Sequence, residues 1–482
     1  AILYSHHLLL YSMMSTTSST RATPTSNEAP PSHVINFGCG HPDDALLPVQ
    51  QIASATQQAL LATPGREQQQ WLQYGRENGN LTARKALAKF LSSTLYKSAE
   101  KEEEREEVDP DTLCITSGVS HGIQLVCQTL HRMYQRLEQQ EQGNKNDKAT
   151  KNVPPLCWVE DPTYFLVPAI LQQSGFEIQA VRTQQHGMDL VALEKQIKVA
   201  RTFHPDRLLV LYCIPTHHNP LGVSLTQATR LGLIQLCETH HVYLIADEVY
   251  HGVTFPLVVS DGNNATLTAQ QKQQQQQLTA MITLSSPSSR YMISVSAFTK
   301  ILCPGIRCGW IQTRNQALLQ RIGQDGVLDS GGCTSQLSSG IVTALIQNGQ
   351  LAAYLTSTLQ PEYAQRCRHL CQCLRAVGTK YPFSFEFTEP RGGYFVWVQL
   401  IGAAKSIPPL DDAAFQSFCV SQYHVQFKSG RSCSTSSSFL SERFAYSMRL
   451  CFAYYDIPTL TLGVDRLCQA IHTYGTRTTT MD

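Results

Sequence analysis

The chain has 482 residues, of which 42% are hydrophobic and 16% charged, and its formal net charge is +1. That balance suits a large folded protein with a substantial core and argues against a polyelectrolyte that holds nucleic acid by bulk charge. Sixteen cysteines without a repeating spacing read as buried free thiols of a reducing compartment, and no apolar run reaches the roughly 18 residues of a membrane span.

In chain order, residues 1–30 come first. They are rich in Ser and Thr and reach their first acid at Glu28, a composition that fits a disordered tail or an organellar transit segment. Short apolar runs of strand length follow at Leu113–Thr116, Leu156–Glu160, Phe176–Val181, Leu208–Ile214, Val242–Ala246 and Met292–Val295. Several are nearly continuous in hydrophobicity, as strands covered on both faces are. Helical patterns such as Gly122–Leu137 and Thr226–His240 separate them. This alternation predicts an α/β fold, with a mainly parallel sheet between helices in a large domain over residues 65–330. Two polar, Gln/Asn/Ser-rich stretches, 134–154 and 260–289, read as inserted surface loops, and the charged run Lys101–Glu107 as a solvated helix end. Beyond about residue 335 come amphipathic helices, a strand pair within Phe385–Gln399 and a late strand at Arg449–Phe452. Residues 31–64 and 331–482 are assigned to a smaller α+β domain.

In open α/β sheets, functional side chains gather on loops after the strands. After the first strand stands Thr116-Ser117-Gly118-Val119-Ser120-His121-Gly122. Small residues opening a helix suit a phosphate, although a plain Ser/Gly helix cap explains them equally well. Asp247 follows Val242–Ala246. An acid there serves as a helix cap, or as the partner of a protonated pyridine nitrogen, with Tyr250 in reach of the same ring. Lys300 follows the strand Met292–Val295. A surface lysine is the common alternative, but a desolvated amine is what a Schiff-base lysine needs. Arg307, after a Pro-Gly turn, is suited to gripping a phosphate.

With these residues in place, the chain resembles the fold-type I, class I/II aminotransferases that use pyridoxal 5'-phosphate. It is most similar to their 2-aminoadipate and kynurenine aminotransferase branch. The motifs run in family order from Gln73-Tyr74-Gly75 and Gly79-Asn80-Leu81 through Thr116-Ser117-Gly118, Glu160-Asp161-Pro162-Thr163-Tyr164 and Pro215 to Gly222. They continue with Asp247-Glu248-Val249-Tyr250, Lys300 to Arg307, Pro390-Arg391-Gly392-Gly393 and Arg449-Leu450. The resemblance implies that Lys300 forms the aldimine and moves protons, that Asp247 holds the pyridine nitrogen, and that Asn219 and Tyr250 bond the ring oxygen. It places Tyr164 on the ring face, Gly118, Val119, Ser120, Thr299 and Arg307 at the phosphate, and Tyr74 across a homodimer interface. Arg449, Asn219 and the backbone at Gly40 are implied to bind substrate.

Two positions depart from the family. Ala297 stands where a phosphate-binding Ser is frequent, so Thr299 or Ser296 has to replace it, and Leu221 follows Asn-Pro where a Thr is common. His217 and His218 suggest a metal, and Cys367, Cys371 and Cys373 a zinc site. The histidines sit in the Asn-Pro loop, where the family resembled carries varied polar residues, and the cysteines lack a second ligand pair of zinc spacing, so no metal is expected. The expected activity is ping-pong transfer of an amino group from a 2-aminoadipate-type, aromatic or branched-chain L-amino acid to a 2-oxo acid such as 2-oxoglutarate. The alternatives are a C–S lyase or eliminase, or a cofactor-binding protein without transaminase activity. The expected partners are small molecules and a second subunit, with neither nucleic acid nor a membrane. The expected compartment is the cytoplasm, with the mitochondrion as alternative.

Overall fold

The computed structural model describes residues 34–61, 70–96, 107–142, 153–184, 187–256, 279–331, 334–402, 407–435 and 441–478. Ile35–Asp482 forms one compact unit; of the other unit, Ala1–Val34, only Val34 is described. The tail 1–30, the Gln tract and nearly all of the charged run at 101–107 lie outside the described residues.

The strands are β1 (Ile35–Asn36), β2 (Leu113–Thr116), β3 (Leu156–Asp161), β4 (Glu177–Gln184), β5 (Gly187–Met188), β6 (Leu209–Cys213) and β7 (Tyr243–Asp247). They continue with β8 (Met292–Ala297), β9 (Gly309–Thr313), β10 (Ser384–Phe387), β11 (Phe395–Ile401), β12 (Val425–Gln426), β13 (Lys428–Ser429) and β14 (Ser447–Cys451). Eight of them form one sheet in the order β2-β9-β8-β7-β6-β3-β4-β5. Its centre, from β4 through β3, β6 and β7 to β8, is parallel, while β9 and β5 run antiparallel. The apolar runs are continuous because helices cover both faces: every residue of β2, β3, β6, β8 and β9 is buried. On one face, Leu156, Trp158, Leu209 and Leu211 meet the helices Leu190–Phe203 and Gln227–His240. The second helix is capped by Thr226, whose side chain accepts from Thr229 N, and ends at His241 with φ 55°.

A second sheet, β10-β11-β14-β13, is antiparallel throughout. It lies in the same core cluster as the other face of the large sheet, through Phe395, Val396, Val398 and Leu450. β1 pairs with β12, and Cys451 N donates to Phe37 O, so the first described segment is stitched to the last strand.

Two expectations are corrected. The stretch 134–154 is not loop from its start, because the helix Val119–Gln142 runs well into it. Gln, Glu, Leu and Arg are good helix formers, and a helix already nucleated needs no apolar stripe to continue. The excursion 260–289 also ends early. Ala280, Met281 and Ile282 are fully buried in the core under the large sheet, and Met281 N donates to Glu248 Oε1 at 2.7 Å. Sequence reading missed β9 because Gly309–Thr313 follows directly on the Pro-Gly turn. All fifteen cysteines among the described residues are free. No helix among the described residues is long and apolar enough to cross a membrane.

Candidate active site

β9 is antiparallel to both β2 and β8, so β2, β3, β6, β7 and β8 all end at one edge of the large sheet. The loops leaving that edge carry Gly118, Tyr164, Asn219, Asp247 and Lys300. Each follows a strand whose two buried faces fix where it ends.

Asp247 closes β7 and is only 3% exposed. Its Oδ2 accepts from the Tyr212 hydroxyl at 2.8 Å, and its Oδ1 from Val249 N at 3.2 Å. Burial pushes its pKa up to about 6, against the pull of those two hydrogen bonds. Lys300 is half-buried. Its Nζ donates to Gly40 O at 2.9 Å and lies 5.0 Å from the Tyr394 ring centroid and 5.9 Å from that of Tyr250. Burial lowers its pKa to about 8, and Arg449 adds to the push while Cys451, Cys39 and Asp247 oppose it. The amine is thus drawn away from water, with a neutral carbonyl as its acceptor. Tyr164 has its hydroxyl pKa raised by burial first and by Asp247 next, with Arg449 opposing, so its ring senses both charges.

Gly118 has φ +101°, and a Cβ there would stand 2.8 Å from Arg307 Nη2. A side chain would be both strained and obstructed, so glycine is what lets Arg307 lie across the start of the helix. Arg307 is exposed and donates to Ser117 O at 2.9 Å. Val119 and Ser120 lie in the first helical turn, where N–H groups have no intrahelical acceptor. Gly309 approaches equally closely, since its Cβ would fall 2.9 Å from Gly118 Cα. Ser296 does not stand in for the hydroxyl missing at Ala297. It is buried and donates to Glu248 O at 3.2 Å, which leaves half-buried Thr299 as the remaining candidate.

Arg449 enters from the second sheet. It is 2% exposed; Nη1 donates to Asn219 Oδ1 and Nη2 to Gly38 O, both at 2.8 Å, while buried Nε has no hydrogen-bond partner. The guanidinium lies 4.0 Å from the Phe395 ring centroid. β13 lies against β14 in a register that sets Lys428 opposite Arg449, and Lys428 Nζ lies 4.0 Å from the Phe165 ring centroid. The structure thus joins Gly40, Lys300, Asp247, Tyr250, Asn219 and Arg449. Tyr74 stands apart: its ring is 83% exposed and packs against Gly331.

The histidines have other work. His217 lies on Gly392 and Gly393, and its Nε2 is 2.9 Å from Thr254 Oγ1; burial takes its pKa down to about 3, so it stays neutral. His218 Nε2 is 3.0 Å from Glu160 Oε2. No cluster of metal-ligating side chains exists among the described residues. Tyr212, Tyr394 and Phe395 were not singled out in the sequence, because within apolar strands an aromatic residue reads as core.

Residues 32–467 match the family of class I and II aminotransferases. The chain belongs to it, and the enzyme is an aminotransferase that uses pyridoxal phosphate. Aromatic-amino-acid aminotransferase 1 of Thermococcus litoralis is 22% identical over 447 residues, covering 91% of this chain and 88% of that protein. Among solved structures, the multiple substrate aminotransferase of Thermococcus profundus superposes with a TM-score of 0.69 at 20% identity, covering 93% of each chain. LysN of Thermus thermophilus, an alpha-aminoadipate aminotransferase complexed with N-(5'-phosphopyridoxyl)-L-leucine, gives 0.65 at 20% identity, covering 92% of this chain and 93% of that one. The two superpositions carry the fold.

The residues fit the cofactor on the geometry alone. A buried acid acts on the charge of a half-buried amine, the amine donates to a backbone carbonyl, and a glycine cradle that a Cβ would fill lies under an arginine.

Proposed function

We propose that this enzyme transfers the amino group of an L-amino acid to a 2-oxo acid in two alternating half-reactions. The donors are of the 2-aminoadipate, aromatic or branched-chain type, and 2-oxoglutarate is the acceptor. The observation that carries this reading is that Lys300, just after β8, lies where both Asp247 at the end of β7 and Arg449 on β14 act on its charge, with Arg449 hydrogen-bonded to Asn219. The names of the Thermococcus and Thermus relatives span aromatic, multiple and aminoadipate substrates, which agrees with a broad donor range.

Pyridoxal phosphate supplies an aldehyde for the amine and a ring that accepts electrons when the substrate Cα loses its proton. Gly118, Val119, Ser120, Thr299 and Arg307 would hold its phosphate, and Lys300 its aldehyde end. Asp247, whose carboxylate is oriented by the Tyr212 hydroxyl, would keep the ring nitrogen protonated. Asn219 and Tyr250 would hydrogen-bond the ring oxygen. Lys300 Nζ, with its pKa near 8, is poised to take the Cα proton and return it at the adjacent carbon. Arg449 grips the α-carboxylate with a planar fork that lysine does not reproduce.

The active form is a homodimer, in which the exposed Tyr74 ring reaches the neighbouring subunit's phosphate site. Residues 65–330 serve as the cofactor domain, and 31–64 with 331–482 as the smaller one. The free thiols favour the cytoplasm.

The test is absorbance of the purified holoenzyme on adding single L-amino acids without oxo acid. One equivalent of 2-oxo acid per subunit should form, with loss of the visible cofactor band, and turnover should resume only when a second oxo acid is added. Lys300→Ala should lower turnover by roughly 10⁴-fold or more, because general acid–base transfer alone contributes about 10²–10⁴. Ammonia, pyruvate or free thiol in place of the 2-oxo acid would instead identify a lyase.

A further inference from the structure

We infer that Lys428 forms a second anion subsite beside Arg449, one that binds the distal carboxylate of a dicarboxylic amino acid or 2-oxo acid. This deepens the transaminase reading and rests on it.

The argument starts from strand register. β13 and β14 are antiparallel with Lys428 opposite Arg449. Directly opposed residues project to the same face of a sheet, so both cations point toward the side on which Arg449 meets Asn219. One aromatic ring lies between their reaches: the Phe165 centroid is 4.0 Å from Lys428 Nζ and 5.9 Å from Arg449 Cζ. Phe165 follows Tyr164, and the two rings stand edge to face at 5.4 Å. The Lys428 ammonium therefore sits over an apolar floor within the pocket.

Charge bookkeeping points the same way. Lys428 is half-buried, and among the described residues the groups that act on its charge are the Cys433 thiol and Arg449, neither of them a carboxylate. Burial, and then Arg449, lower its pKa. Arg449 itself donates only to neutral acceptors, Asn219 Oδ1 and Gly38 O. Lys300, Lys428 and Arg449 thus stand near one another, and Asp247 is the carboxylate that acts on Lys300. Asp247 is committed to the cofactor ring and Lys300 to its aldehyde end. One substrate carboxylate answers Arg449, and a second is needed to answer Lys428. An ammonium held near another cation in a partly dry site is unfavourable until an anion arrives. The carboxyl carbons of an extended five- or six-carbon diacid lie about 5 to 6 Å apart. In the proposed pose the ligand spans the Phe165 ring, whose centroid is 4.0 Å from Lys428 Nζ and 5.9 Å from Arg449 Cζ.

The experiment measures two quantities on wild-type holoenzyme, Lys428→Met and Lys428→Arg, with cofactor content confirmed by absorbance. The first is the dissociation constant of glutarate, an unreactive diacid, against that of 4-methylvalerate, a monoacid of similar size. The second is kcat/KM in single half-reactions for glutamate, 2-aminoadipate and 2-oxoglutarate, against leucine and phenylalanine. Removing a charge-assisted hydrogen bond should weaken glutarate binding and lower diacid kcat/KM by about 10- to 100-fold, mostly through KM. The monoacids should move by less than about 3-fold, and Lys428→Arg should keep the diacid preference. Equal losses for both substrate classes would assign Lys428 to the α-carboxylate or to packing and overturn the subsite, as would no loss in either. If glutarate binding responds as expected but no donor gives a half-reaction, the subsite stands and the transaminase reading fails.

Discussion

The two walls of the pocket are built on opposite principles. On the large-sheet wall, polar groups are saturated from within. Asp247 has Tyr212 and Val249, and Glu248 accepts from Met281 N, Ser294 and, at its carbonyl, Ser296. On the wall made by β13 and β14, Arg449 and Lys428 face neutral acceptors and aromatic rings, with Arg449 Nε left orphaned. A wall that positions a resident group can satisfy its own hydrogen bonds permanently. A wall that must capture and release an anion at every turnover cannot, because a permanent carboxylate partner would occupy the site.

The contrast can be broken first on the saturated wall. Asp247→Asn should lower kcat by about 10³-fold, because the acid's electrostatic role is lost, yet it should stabilise the cofactor-free protein. Folding raises the Asp247 pKa from 3.8 to about 6. Its stability contribution is therefore complete below pH 4 and is lost as pH rises through 6, by up to about 3 kcal/mol. The Asn variant has no such loss. Urea unfolding should show little difference near pH 4 and a clear advantage for the variant at pH 7.5.

Arg449→Lys breaks the other wall. Losing the fork should lower kcat/KM by about 10²-fold in both half-reactions, because one carboxylate grip serves both. Loss in a single half-reaction would show that donor and acceptor are held differently. The smallest effect sharpens the boundary between the walls. Gly118→Ala imposes a Cβ at φ +101° and 2.8 Å from Arg307 Nη2. Strain of about 1–2 kcal/mol should weaken cofactor affinity roughly tenfold, read by equilibrium dialysis, with KM for the amino acid unchanged.

The saturated wall was also the more legible one. Asp247 and Lys300 are polar residues at or just beyond the ends of continuous apolar runs, a visible break in pattern, whereas Asn219 came only from the family motif. The strand β2 falls at Leu113–Thr116 as expected, and β3, β6, β7 and β8 lie within a residue or two of their runs. Arg449 was found only through the family motif. Lys428 was not found at all, since it stands in a two-residue strand within a polar Ser-rich stretch that resembles a loop. Short edge strands carry too few residues for a period to register. Tyr212 and Tyr394 are hidden for the opposite reason, being apolar enough to pass as core. The helix through Gln142 and the buried turn at Ala280–Leu284 show that polar composition marks neither the end of a helix nor the end of packing.

The segment at Gly38–Gly40 gives Arg449 and Lys300 a carbonyl each, and it is moored through β1 and Phe37 to the strand that carries Arg449. A carboxylate arriving at Arg449 would meet a guanidinium already withdrawn from water and aimed. Its side chain needs little further ordering, so binding there would cost less conformational entropy than at a free surface arginine.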